Sequence, residues 1–156
     1  MAERTERALR WLQSTKPLTT EDRSFKLMGL AWGGVNADVV RRGAAELTAT
    51  QRADGGWSQR DEMTSDAYAT GLAMYALRES GALAATADPI QKGAKYLLST
   101  QRGDGSWYVR SRSPKFQPYF EGGFPYGHDQ WISSMATGWA IAALSASQET
   151  GSKANQ

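Results

Sequence analysis

The chain's single histidine, His128, stands beside Asp129 in the run Gly127-His128-Asp129-Gln130-Trp131-Ile132-Ser133-Ser134. An imidazole next to a carboxylate has the parts of a general base, and it can also hold a polar ligand by hydrogen bonds. Trp131 follows closely, and Phe124 and Tyr126 precede, so flat apolar surface lies near both groups. A second acidic group, Asp61, Glu62 and Asp66, leads into another apolar run that contains Tyr68. Asp66 and Asp129 stand at corresponding helix starts. Two such carboxylates about 5 to 10 Å apart across an open groove would suit glycoside chemistry. The plainer reading is that Asp66 and Asp129 cap helices and His128 is a surface turn residue, since a helix dipole favours acids in its first turn anyway. Arg110, Arg112 and Lys115 offer cations for an anion, or form part of a solvated loop.

The composition removes several chemistries. The chain has 156 residues and no cysteine, which excludes disulfides, thiolate zinc sites and cysteine nucleophiles. No metal or other cofactor is expected. A formal charge of +2 gives no general attraction to nucleic acid. No apolar run reaches the roughly 18 to 20 residues of a transmembrane span.

The elements that position these residues read as helices. Apolar residues recur at spacings of three and four within 4–15, 21–33 and 39–47, then within 68–77, 90–98 and 131–144. No stretch alternates in the manner of a strand, so none is needed. Pro17, Gly33-Gly34, Asp54-Gly55-Gly56, Gly81 and Asp104-Gly105 punctuate the runs. Asp88 is expected to cap a helix with Pro89 at its first position, and Ser65-Asp66 to cap another.

Two segments repeat each other. Arg42-Gly43 and Lys92-Gly93 each lead to a leucine four residues past the glycine, Leu47 and Leu97. Gln51 and Gln101 follow, then Gly55-Gly56-Trp57 and Gly105-Ser106-Trp107. Arg7-Ala8-Leu9-Arg10-Trp11-Leu12 shares the register of Lys92 to Leu97, with Lys16 where the glutamines stand. The second helices also align, as Met28-Gly29-Leu30-Ala31, Thr70-Gly71-Leu72-Ala73 and Thr137-Gly138-Trp139-Ala140. A glycine inside a helix costs about 1 kcal/mol against alanine, so its recurrence points to close helix contact. The expected organisation is one domain over 1–147, in pairs 1–34, 37–81 and 88–147, with a flexible tail at 148–156.

These segments resemble the QW repeat of the squalene–hopene and oxidosqualene cyclases, the prenyltransferase and squalene oxidase repeat. Residues 92–107 match every defined position, and 42–57 match except that Glu46 replaces an aromatic residue. The resemblance implies an all-α, α-α toroid-type repeat, three antiparallel pairs making about half a ring. The first helix of each pair would lie outside and the second would line a cavity. Gln51, Trp57, Gln101 and Trp107 would be structural, each glutamine amide capping a helix start and stacking on its tryptophan. The cyclases' Asp-x-Asp-Asp acid is missing, and so is the cysteine that prenyltransferases and thioester domains need.

The expected function is therefore a squalene-cyclase-like repeat domain without the family's catalytic acid, acting as a ligand-binding or interaction module of a larger protein. The alternatives are terpene-cyclase-like isomerase activity, with His128 and Asp129 as the acid or base, and a carbohydrate-active toroid. The expected partners are a hydrophobic or carbohydrate small molecule and a second copy or neighbouring domain. The proline-rich segment 108–127 carries Phe116, Tyr119, Phe120 and Phe124. Residues 110–127 are expected to lie over the mouth of the concave face of the second helices. Tyr68, His128, Asp129 and Trp131 would form the cavity walls, with Asp66, Phe124 and Tyr126 as further ligand contacts. Most of the other aromatic rings are expected in the core.

Overall fold

The computed structural model describes residues 2–114 and 119–148. The expectations placed on Lys115, on Phe116 and on a tail beyond Gln148 fall outside them. The fold is all-α, and six α-helices pack compactly: α1 (Ala2–Ser14), α2 (Thr20–Trp32), α3 (Ala37–Thr48), α4 (Ala67–Glu79), α5 (Asp88–Thr100) and α6 (Gln130–Gln148). A 3-10 turn over Gly127–Asp129 leads into α6.

The starts of the helices follow from their side chains. Thr19 and Asp22 form a reciprocal capping box at α2. The Asp66 carboxylate accepts from the Ala69 N–H at 2.8 Å and opens α4. At α5 the cap is Ala87, and Asp88 and Pro89 belong to the first turn, which corrects the expected cap at Asp88. The Asp88 carboxylate turns along the helix to Lys92 at 2.8 Å. Proline is tolerated there because a first-turn N–H has no partner inside the helix.

Helix α4 is the centre. It packs on α2 and α6 to either side and on α5, while α1 and α3 pack on α2. Ten of its 13 residues are buried. Gly71 makes the contact with α6 possible, since a Cβ there would stand 2.7 Å from the Ala140 nitrogen. The expectation of close contact at all three aligned glycines holds at this backbone alone. Gly29 faces the Leu12 side chain at 3.0 Å, and nothing lies within 4 Å of a Cβ at Gly138. Across α4, Phe25 of α2 reaches Trp139 of α6 with ring centroids 6.2 Å apart, and Tyr75 of α4 joins them at 5.5 Å. Rings from α2, α4 and α6 thus gather in one place.

The Gln–Gly–Trp turns share one construction. The Trp57 indole N–H donates to the Leu47 carbonyl at 3.0 Å, and the Trp107 indole to the Leu97 carbonyl at 2.8 Å. The Trp57 and Trp107 amides donate to the hydroxyls of Thr70 and Thr137. Gly55 and Gly105 take φ of 86° and 85°, a left-handed conformation that favours glycine. The amides of Gln51 and Gln101 donate to the carbonyls of Gly55 and Gly105 and close the turn, and Gln51 donates a second bond to the Pro89 carbonyl in the first turn of α5.

Two more expectations change. A two-residue antiparallel ladder joins β1 (Trp57–Ser58) to β2 (Ser65–Asp66), because Gly56 lets the chain pass close to Ser65. Trp57 and Trp107 are the buried tryptophans, at 0% and 2% exposure. Trp11, Trp32 and Trp131 are more than half exposed, and Trp139 is partly buried against the core, so half of the indoles lie off it.

Trp57→Ala and Trp107→Ala each lower stability by about 3 to 5 kcal/mol, read by chemical denaturation. Gly71→Ala forces α4 and α6 apart and costs about 1 to 3 kcal/mol. Gly138→Ala in open space stabilises by up to about 1 kcal/mol in the same assay.

Candidate functional site

A cleft of about 590 Å³ opens between α6 and the segment that precedes it. One wall is apolar and comes from Trp131, Ile132 and Met135 on α6 and from Phe120. The rings of Phe120 and Trp131 lie nearly parallel, 6.5 Å apart, and are 71% and 53% exposed. The other wall is polar and includes Gln59, Ser111, Arg112 and His128. His128 packs its ring against Tyr119 at 4.7 Å.

The polar wall is anchored from behind. Arg112 Nε donates to Gln59 Oε1 at 2.5 Å, and Gln59 Nε2 donates to the Asp66 carboxylate at 2.7 Å. Asp66 thus fixes a glutamine, which fixes a guanidinium at the cleft. Burial pushes the Asp66 carboxyl above its ordinary value, against hydrogen bonds from Ala69 and Gln59 that lower it. Tyr68 lies behind this network, its phenol pushed up to about 12 by burial and then by the nearby Glu21 carboxylate.

The segment is held down by the first turn of α6. Gln130 is 1% exposed; its amide donates to the Phe120 carbonyl at 2.9 Å and accepts from the Gly122 N–H at 2.5 Å. Asp129 accepts from the Ser111 N–H and the Tyr108 hydroxyl, both at 2.8 Å. The bond to Asp129, then desolvation, raises the Tyr108 phenol. Tyr126 adopts φ of 83°, a region unfavourable for a side chain of its size, and its hydroxyl is 2.5 Å from that of Ser106.

Of the residues singled out in the sequence, His128 and Trp131 come together at the cleft. Tyr68 and Asp129 are not among its walls, because Tyr68 is 5% exposed and the Asp129 carboxylate is turned to Ser111 and Tyr108. Asp66 acts one residue removed, through Gln59. Phe124 and Tyr126 line a separate cavity of about 140 Å³ with Ser106, Ser133 and Thr137, although Phe124 also meets Trp131 edge-on at 6.2 Å. Asp66 and Asp129 each stand directly before a helix, α4 and α6, but not in the same register. Counting back from the aligned threonines, α4 starts three residues before Thr70 and α6 seven before Thr137, so α6 has one turn more and Ser133 occupies the Asp66 register. Gln59 and Gln130 carried no motif that marked them. Among the described residues no helix is long and apolar enough to cross a membrane, and no three acidic or histidine groups cluster as a metal site.

A carboxyl raised in the folded state binds its proton more readily folded than unfolded. Its contribution to stability is full below the ordinary value near 3.8 and declines as the pH rises through the raised one. Asp66→Ala therefore costs about 1 to 2 kcal/mol at neutral pH through the lost cap. The loss is larger near pH ~3 than near pH ~7 in urea unfolding, and the reverse order would refute the burial account.

No protein-family model matches the chain, and a search of characterised proteins finds no match.

Proposed function

We propose that this chain is a non-catalytic binding module, a squalene-cyclase-like QW-repeat domain whose three helix pairs make an arc of the α-α toroid type. The shared hydrogen bonding of the two Gln–Gly–Trp turns supports the repeat reading, and the rings that meet across α4 support the curvature. The ligand is an elongated apolar molecule with an anionic or hydrogen-bonding head. One observation carries this: the lining of one cleft joins the exposed rings of Trp131 and Phe120 with Arg112 and Gln59. Apolar surface with a few convergent polar groups is the usual make-up of a small-molecule site. The acids serve the fold. Asp66 accepts through both oxygens from Ala69 and Gln59, and Asp129 through both from Ser111 and Tyr108. That use of the carboxylates favours binding over terpene cyclisation or glycoside hydrolysis.

Titration calorimetry with farnesyl phosphate, farnesol and maltohexaose tests the reading. Farnesyl phosphate binds saturably, Trp131→Ala weakens it by about tenfold, and Arg112→Ala weakens it while leaving farnesol unchanged. Binding of the sugar alone would transfer the site to the carbohydrate reading. Absence of heat with all three would remove the site.

A further inference from the structure

The turn at Gln51–Trp57 does two things. Inward, it closes on itself and on α3. Outward, it receives α5. Gln51 Nε2 makes a second bond, to the Pro89 carbonyl in the first turn of α5, at 2.8 Å. A Cβ on Gly55 would stand 2.7 Å from the Lys92 carbonyl oxygen, so the α5 backbone runs against this glycine. Gly93 of α5 lies over Met74 of α4, where a Cβ would come within 2.6 Å of the sulfur. Gly71 admits the α6 backbone on the same edge. Gln51, Gly55, Gly71 and Met74 together form a socket that holds the next two helices.

The second motif presents the same positions in the same register: Gln101, Gly105, Gly138 and Ile141. Gln101 closes its own turn onto Gly105 at 2.9 Å, as Gln51 closes onto Gly55 at 2.8 Å, but it is exposed and has no counterpart of the Pro89 bond among the described residues. Nothing lies within 4 Å of a Cβ at Gly105 or Gly138. Ile141 is 55% exposed where Met74 is fully buried. Among the described residues the socket is built and uncovered.

At the opposite edge of the molecule, α1 exposes every residue from Ala2 to Ala8, and Trp11 is 63% exposed. Its Arg7-Ala8 to Leu12 keeps the register of Lys92-Gly93 to Leu97, the stretch of α5 that fills the first socket. Ala8 replaces Gly93, and the extra methyl has a precedent in space. At Gly43, in the same register, an added Cβ would meet Leu27 at 3.4 Å, an ordinary contact.

We propose that the uncovered socket takes the α1–α2 edge of a second copy of this chain, head to tail. In that contact α1 lies on Gln101, Gly105 and Ile141 as α5 lies on Gln51, Gly55 and Met74, and α2 approaches Gly138. The contact is heterologous, one surface meeting a different one, so an open assembly of any size keeps one free edge and one free socket until it closes.

Sedimentation velocity over a range of protein concentrations tests this. The wild-type chain shows a mass above one chain that rises with concentration. Gly138→Arg blocks the socket and Ala8→Arg blocks the edge. Both positions are open, so both variants keep the wild-type circular dichroism and melt no lower than the wild type. Each variant alone stays a single chain. Mixed at equal amounts near ~1 mM they form a one-to-one dimer and nothing larger, because one socket and one edge remain. The proposal is overturned by a wild type that stays a single chain at that concentration. It is equally overturned by a single variant that associates as the wild type does, or by a mixture that does not associate.

Discussion

A tryptophan indole donating to the last turn of a helix is the interaction on which the rest of the structure depends. The final carbonyls of a helix have no partner within it. Trp57 gives one to Leu47, and Trp107 gives one to Leu97, each from a fully enclosed ring. The same residues accept at their main chain the constraint of Thr70 and Thr137, so helix end, turn and following helix are tied at one point. Loss of a ring would leave a cavity, and the Leu47 and Leu97 carbonyls would keep only the bonds they accept from Thr50 and Thr100. From Trp57 the chain runs through Ser58 to Gln59, so the cleft's polar wall takes its position from the same anchor.

The sequence displayed the parts of this arrangement that are local. The Gln-x-x-x-Gly-x-Trp spacing marks a turn because the glutamine, the left-handed glycine and the tryptophan all act within seven residues. Helix spans were readable for the same reason. The site was not, because its contacts are long-range: Arg112 meets Gln59 across 53 positions. Gln130 looked like any polar residue at a helix start, yet it is nearly inaccessible and holds two backbone groups. Periodicity located the apolar stripe containing Trp11, but a stripe says which face is apolar and not whether the same chain covers it. Asp129 illustrates a register effect, since the added turn of α6 moved it away from the position that Asp66 holds in α4.

The cleft is built by relay rather than by direct contact with the core. Asp66 is committed at once to the start of α4 and to Gln59, and the guanidinium of Arg112 is the outer end of that chain. A buried carboxyl at the root makes the relay sensitive to what surrounds Asp66, while the exposed end remains free to meet a ligand. His128, by contrast, is held by ring contact with Tyr119, and so its position follows the segment and not the core.

The fastenings of that segment all lie outside the tightly packed α4–α6 contact. Asp129 and Gln130 belong to the added turn and its approach, and Ser106 and Tyr126 join hydroxyl to hydroxyl. Releasing them breaks a few hydrogen bonds worth about 1 kcal/mol each and exposes none of the residues around Gly71. The molecule therefore has two levels of cooperativity. The central helices α4 and α6 open only with global unfolding, whereas the segment that brings Phe120 to the cleft detaches as a small unit of its own. Amide protons near Phe120 and Gly122 exchange through that lesser opening, far faster than those of α4, and a molecule entering the cleft has to displace only this outer unit.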